Sequence, residues 1–146
     1  LNTLATVYSL SGQPRHAVPL YEKKNEMREK MGDKQNLAIG LENLALTAQI
    51  YIGALNAAER NLRRSIDLCR EIMDAQWEGV GHSELGRVLI YRGHWDNSEK
   101  ELANGLAFFQ KISKFQDEGY TYAYCALRFL LTVSYTHLTL PTSDLV

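Results

Sequence analysis

Three glycines set the frame of this chain. Gly12, Gly53 and Gly93 stand 41 and 40 residues apart, and the residues around them recur with them. Ala17, Ala58 and Ser98 lie five positions after each glycine, and Tyr21, Leu62 and Leu102 lie nine after. Glu78-Gly79 returns as Glu118-Gly119, again at a spacing of 40. A chain that repeats at this interval does not wrap around one central core. Each unit buries its apolar face on the next unit along.

Between the glycines the apolar residues keep helical spacing. Leu1, Leu4, Ala5 and Tyr8 fall at i, i+3, i+4 and i+7, and Gly12-Gln13-Pro14 ends that helix. A second helix starts at Pro14 or Arg15, with Ala17, Leu20, Tyr21, Met27 and Met31 as its apolar positions and the polar run Lys23 to Asn25 weakening the face. Gly32-Asp33-Lys34 closes the unit with turn chemistry. In the middle unit Leu37, Leu41, Leu44, Ala45 and Ala48 form one stripe, and Ala58, Leu62, Ile66, Cys69 and Met73 form the other. Glu59, Arg60, Arg63, Arg64, Asp67, Arg70 and Glu71 stand opposite that second stripe, so each helix hides one side from water. The third unit repeats the plan with Leu85, Gly86 and Leu89, then Leu102, Leu106, Phe109 and Ile112. A fourth begins with Tyr120, Ala123, Tyr124, Ala126, Leu127 and Leu130, preceded by Asp117-Glu118, which suit a helix N-terminus. The expected fold is all-α, an α-α superhelix (solenoid) of antiparallel helix pairs. It has about three and a half repeats: units 1–34, 35–74 and 75–115, and a partial fourth, 116–131.

Residues 132–146 break the pattern, with four Thr between Thr132 and Thr142 and a β-like alternation found nowhere else in the chain. Val133-Ser134-Tyr135-Thr136-His137-Leu138-Thr139-Leu140-Pro141-Thr142 resembles a translated sequencing adaptor read through at the end of a metagenomic fragment, so this tail is expected to be non-native.

The residues around the glycines resemble tetratricopeptide (TPR) repeats. Leu4-Ala5-x-x-Tyr8-x-x-x-Gly12 followed by Ala17-x-x-x-Tyr21, and Leu85-Gly86-x-x-Leu89-x-x-x-Gly93 followed by Ser98-x-x-x-Leu102, carry the likeness over residues 1–131. Two features depart from it. The period is about six residues longer than the 34 of that family, similar to long repeats in bacterial signalling ATPases and transcription regulators. The middle unit puts Ala45-Leu46 and Gln49 where the motif has Leu-Gly or Leu-Ala and an aromatic residue, which leaves its register open by one residue. The resemblance implies a protein or peptide interaction scaffold, with the first helix of each unit lining a concave face. By repeat position that face carries Asn2, Thr6, Asn43, Thr47, Tyr51, Ser83, Arg87 and Tyr91. The alternative is a regulatory or sensor segment of a multidomain signalling ATPase or transcription regulator.

Little else in the sequence carries chemistry. Sixteen basic residues against 17 acidic ones leave no surplus for a nucleic-acid backbone. No P-loop, GxSxG, HExxH or CxxC occurs, so no catalytic residue, cofactor or metal is expected. Cys69 and Cys125 read as inert buried thiols in a reducing, cytoplasmic setting. His16, His82 and His94 read as solvated or capping residues, Trp95 as packing the bend between paired helices, and Arg60, Arg63 and Arg64 as a solvated face. Ala123–Val133 is too short and too interrupted by Arg128 to span a membrane. Leu127, Leu130 and Leu131 lack a following helix to cover them, so this end is expected to fray or to self-associate.

Overall fold

The computed structural model describes residues 2–139, with side chains from Thr3 to Ser134. The helices are α1 (Asn2–Leu10), α2 (Pro14–Lys30), α3 (Lys34–Leu44), α4 (Leu55–Glu71), α5 (Ala75–Tyr91), α6 (Trp95–Ile112) and α7 (Phe115–Thr139). A π-turn, Ala45–Gln49, prolongs α3 without a break. Each helix packs on the next in sequence, and the first helices of neighbouring units also meet, α5 touching α7 and α1 touching the π-turn. The core is strung along the array. One cluster joins Ala5, Ala17, Tyr21, Leu44 and Ala48, and the next joins Ala45, Ala58, Leu62, Ile66, Leu85, Val88 and Leu89. This is the all-α solenoid expected, with no strand among the described residues.

All six turns between helices close in the same way. In each, one residue takes the left-handed conformation: Gly12, Gly32, Gly53, Met73, Gly93 and Ser113, with φ between 56° and 78°. The residue after it donates its N–H to a carbonyl five residues back, as Gln13 does to Tyr8 and His94 does to Leu89. This Schellman closure satisfies the helix's last carbonyls and needs a positive φ at its centre. Glycine adopts that φ without strain, whereas Met73 and Ser113 carry a Cβ penalty there. Two of the helices that follow are capped by a carboxylate: Asp33 Oδ1 accepts from the Asn36 N–H (3.1 Å), and Asp74 Oδ1 from the Trp77 N–H (3.2 Å).

Successive turn residues are 20 positions apart everywhere except between Gly32 and Gly53, where the interval is 21. The π-turn lies inside that interval. It holds one extra residue in an i→i−5 bond from Ile50 N–H to the Ala45 carbonyl (3.0 Å). The mismatch in the middle unit is therefore a single inserted residue. Upstream of it the units correspond at a spacing of 41 (Asp33 with Asp74, Leu44 with Leu85), and downstream at 40 (Tyr51 with Tyr91, Gly53 with Gly93).

Close helix contacts need small residues. Ala17, Ala58 and Ser98, equivalent in the three units, have no exposed surface. A Cβ on Gly86 would lie 2.6 Å from Leu102 Cγ, so only glycine lets α5 and α6 approach this closely.

Several expected apolar positions differ. Met73 is 89% exposed because the α4 helix has ended and the residue forms the turn. Met27 and Met31 are exposed, and Asn25 instead continues the buried row of Ala17 and Tyr21 at four-residue spacing. Leu4 is half exposed, leaving Ala5 as the buried residue of α1. In α7 the fully buried residue is Thr121, while Tyr120 and Leu130 face outward. The alternating stretch after Thr132 does not form a strand: α7 continues through Thr139. A lone strand would leave its backbone groups unpaired, whereas a helix satisfies them within itself. Residues 140–146 of the expected tail lie outside the described residues.

Candidate functional site

The face implied for ligand contact is built from the first helix of each unit. Tyr51 and Tyr91 stand at equivalent places just before the turn glycines and are 73% and 45% exposed. Thr47 returns its hydroxyl to the Asn43 carbonyl (2.6 Å), and both residues are half-buried. Arg87 is held in place from two sides. Its guanidinium contacts Glu84 Oε2 at 2.6 Å and lies 5.3 Å from the Tyr124 ring centroid, while Tyr124 donates its hydroxyl to Glu84 Oε1 at 2.9 Å. Burial raises the Glu84 carboxyl above the usual range, with Arg87 opposing it, and burial raises the Tyr124 phenol as well.

Thr6 pairs its hydroxyl with the Tyr21 hydroxyl at 3.4 Å. The side chain of Asn2 lies outside the described residues. Ser83 does not reach this face. It is buried, and its hydroxyl is committed to Thr121 of α7 at 2.7 Å. The inserted residue explains why. A spacing of 40 pairs Ser83 with Asn43, but upstream of the π-turn the counterpart of Asn43 is Glu84 and that of Ser83 is the buried Glu42. The residues that the sequence reading missed are thus Glu84 and Tyr124, together with Leu10 and Leu46. Leu10, Pro14, Leu46, Thr47 and Tyr51 line an open, mostly apolar cleft of about 540 Å³ between the first two units. The 41-residue interval from Gly12 to Gly53 was the signal for the shift.

A second polar cluster is buried. Glu42 is 2% exposed, and its Oε1 accepts from the Ser65 hydroxyl at 2.8 Å while Oε2 has no partner. Burial pushes its carboxyl up to about 8, with Ser65 opposing and Glu84 and Asp74 adding to the rise. Cys69, on the same side of α4, is buried, and its thiol is pushed up to about 12, chiefly by that burial. The burial is the one the sequence implied, and both it and the raised thiol disfavour the thiolate.

His82 departs from expectation. It is buried mid-helix in α5 rather than solvated at a turn, with Nδ1 2.6 Å from Glu101 Oε2 and its ring stacked on Phe108. His16, in the first turn of α2, and His94, at the N-cap of α6, are exposed, as expected. Arg63 pairs with Glu59 at 2.9 Å and Arg64 with Glu29 at 2.5 Å on an exposed face. Among the described residues no group of His, Cys, Asp and Glu side chains converges as a metal site, and no helix is long and apolar enough to cross a membrane.

No protein-family model matches the chain, and a search of curated proteins found no match. Solved structures do match. A Podosopora anserina protein provisionally assigned to the kinesin light chains, built of nearly identical TPR-like repeats, superposes with a TM-score of 0.68 at 17% identity. A single-substitution variant of it gives 0.69, again at 17% identity. Each alignment covers 98% of this chain and 76% of the other. At that identity the likeness concerns the fold, and the fold is that of a TPR-like helical-repeat solenoid.

Proposed function

We propose that this chain is a protein-interaction scaffold that binds an extended peptide along the face of α1, α3 and α5. The observation that carries this reading is the pair Tyr51 and Tyr91, exposed at the same position of consecutive units beside the anchored Arg87. Tyrosines spaced by one repeat give stacking surfaces at low entropic cost, and Asn43 and Arg87 supply hydrogen-bond donors between them. The cleft lined by Leu10, Leu46 and Tyr51 takes an apolar side chain of the same ligand. The reading includes no catalytic role. A reducing, cytoplasmic setting agrees with the free thiols of Cys69 and Cys125.

The test is capture of partners by wild type and by a variant carrying Asn43→Ala, Tyr51→Ala, Arg87→Ala and Tyr91→Ala. Partner capture that survives all four changes would refute the assignment of this face. The alternative, a regulatory repeat segment of a multidomain signalling ATPase or transcription regulator, draws on the long repeat interval. Sequencing the flanking gene tests it, and the same experiment shows whether the codons for 132–146 belong to the natural locus or to an adaptor.

A further inference from the structure

The two sides of α7 differ in kind. One side is engaged: Thr121 bonds Ser83 of α5, Tyr124 bonds Glu84 of α5, and Arg128 bonds Glu99 and the Trp95 carbonyl of α6. The other is an apolar stripe open to solvent. Tyr122, Leu130 and Val133 are 51%, 62% and 38% exposed, and Gly119, Ala123 and Ala126, also exposed, complete the same helix face.

Forty residues earlier the same positions belong to α5, where they hold α6. A Cβ on Gly79 would lie 2.9 Å from Phe109 Cε1, one on Gly86 2.6 Å from Leu102 Cγ, and one on Gly105 of α6 3.1 Å from the Ser83 nitrogen. Their counterparts on α7 are Gly119 for Gly79, Ala123 for Ser83 and Ala126 for Gly86, while Leu130 matches the buried Ile90. The earlier units keep the same arrangement. Ala5 shares a core cluster with Ala17 and Tyr21, and Ala45 with Ala58 and Leu62. Each of these first helices thus meets a small residue followed four positions later by a large one, as Ser98 is followed by Leu102. Ala126, the fourth in the series, is exposed.

Gly119 sharpens the comparison. A Cβ there would meet nothing within 4 Å, and glycine inside a helix costs about 0.5–1 kcal/mol relative to alanine. No neighbour among the described residues requires it, whereas a helix packed as α6 packs on α5 would. The chain has no such helix to spare. Helices α2, α4 and α6 are each packed between their neighbours, and α1 and α7, at the two ends of the described array, are both first helices of a pair. A second copy therefore presents no unpacked helix of the required kind among its described residues.

We propose that this stripe docks an amphipathic helix of a partner protein, laid across α7 as α6 lies across α5. Its contact face carries alanine or serine, leucine or tyrosine four residues later, and a large apolar residue seven beyond that, the pattern of Ser98, Leu102 and Phe109. The first two meet Ala126 and the last meets Gly119. The stripe holds no charged side chain, and Tyr122 replaces the His82 that holds Glu101, so the occupant needs no acid there. The stripe shares no residue with the face of Tyr51 and Tyr91, so the two readings stand or fall separately.

The probe is a synthetic peptide of residues 95–112, the sequence of α6, labelled and titrated with the full chain by fluorescence anisotropy. Saturable binding is expected. Leu102→Asp in the peptide, and Gly119→Leu or Leu130→Glu in the chain, each weaken it at least roughly tenfold, the scale of one lost apolar anchor. A Tyr51→Ala/Tyr91→Ala variant binds as wild type does. Gly119→Leu is the discriminating change: open space surrounds that position, so its thermal midpoint stays at or above that of wild type while binding is lost. A peptide that does not bind, or binds Gly119→Leu and Leu130→Glu as well as wild type, overturns the proposal. Wild-type dimers that Gly119→Leu dissolves overturn it in favour of a second copy. A natural gene that encodes the same pattern directly after α7 overturns it in favour of a helix in cis.

Discussion

Replacing Glu42 with glutamine separates the buried carboxyl's charge from its shape. The folded carboxyl titrates near 8 against an ordinary 4.5. The folded state therefore holds a proton that the unfolded chain has lost across that window. The carboxyl's contribution to stability is complete below pH 4.5 and is lost as pH rises through 8. Each pH unit inside the window weakens the fold by about 1.4 kcal/mol. Glutamine has nearly the same volume, can still accept from Ser65, and does not ionise. Between pH 5 and pH 8 the stability of Glu42→Gln relative to wild type should rise by about 4 kcal/mol, taken as the ceiling that local relaxation reduces. Urea unfolding followed by helical circular dichroism, run on both proteins at pH 5, 6.5 and 8, measures this difference. The difference cancels the titrating groups that do not interact with Glu42, whereas Glu84, which adds to the Glu42 rise, stays within it. Parallel stability curves over that range would show that water or a conformational shift relieves the Glu42 carboxylate, and the burial argument would fail.

Met73→Gly and Ser113→Gly each remove a left-handed Cβ penalty in an exposed turn, and each should stabilise the fold by about 1 kcal/mol, read as a higher midpoint in thermal melting. Gly86→Ala should do the opposite, costing roughly 1–3 kcal/mol by the same measurement, because the new methyl overlaps Leu102. Phe129 and Leu130 of α7 are more than half exposed, so Phe129→Glu with Leu130→Glu should abolish any concentration-dependent association seen by sedimentation velocity. Association that persists unchanged would place the contact elsewhere.

The helix pairs were legible because glycine marks four of the six turns and because Ala17, Ala58 and Ser98 repeat with them. Met73 and Ser113 hid the other two, since a strained residue leaves no compositional mark and Met73 even fits the apolar row of α4. The face of Tyr51 and Tyr91 was legible because both lie downstream of the inserted residue, where counting from the glycine is sound. Ser83 and Glu84 exchanged places because they are matched to residues upstream of it. Glu42, Asn25 and His82 could not be placed by pattern, because a polar residue at a core position looks like noise in an apolar period. Their burial follows from which helix lies opposite, and that is a property of the assembled array.

The π-turn at Ala45–Gln49 also governs how such units can be recombined. In a helix kept α throughout, one extra residue would turn everything before it by about 100° relative to everything after it, and here the wider π-turn absorbs it. A designed array that averages the units column by column at a fixed interval would therefore mix interior with exterior positions over the first half of every odd-numbered helix. Splitting the alignment at Ala45, and choosing one phase for both halves, would give an array whose helices all present a single face. The price would be the one place where this chain departs from its own rhythm.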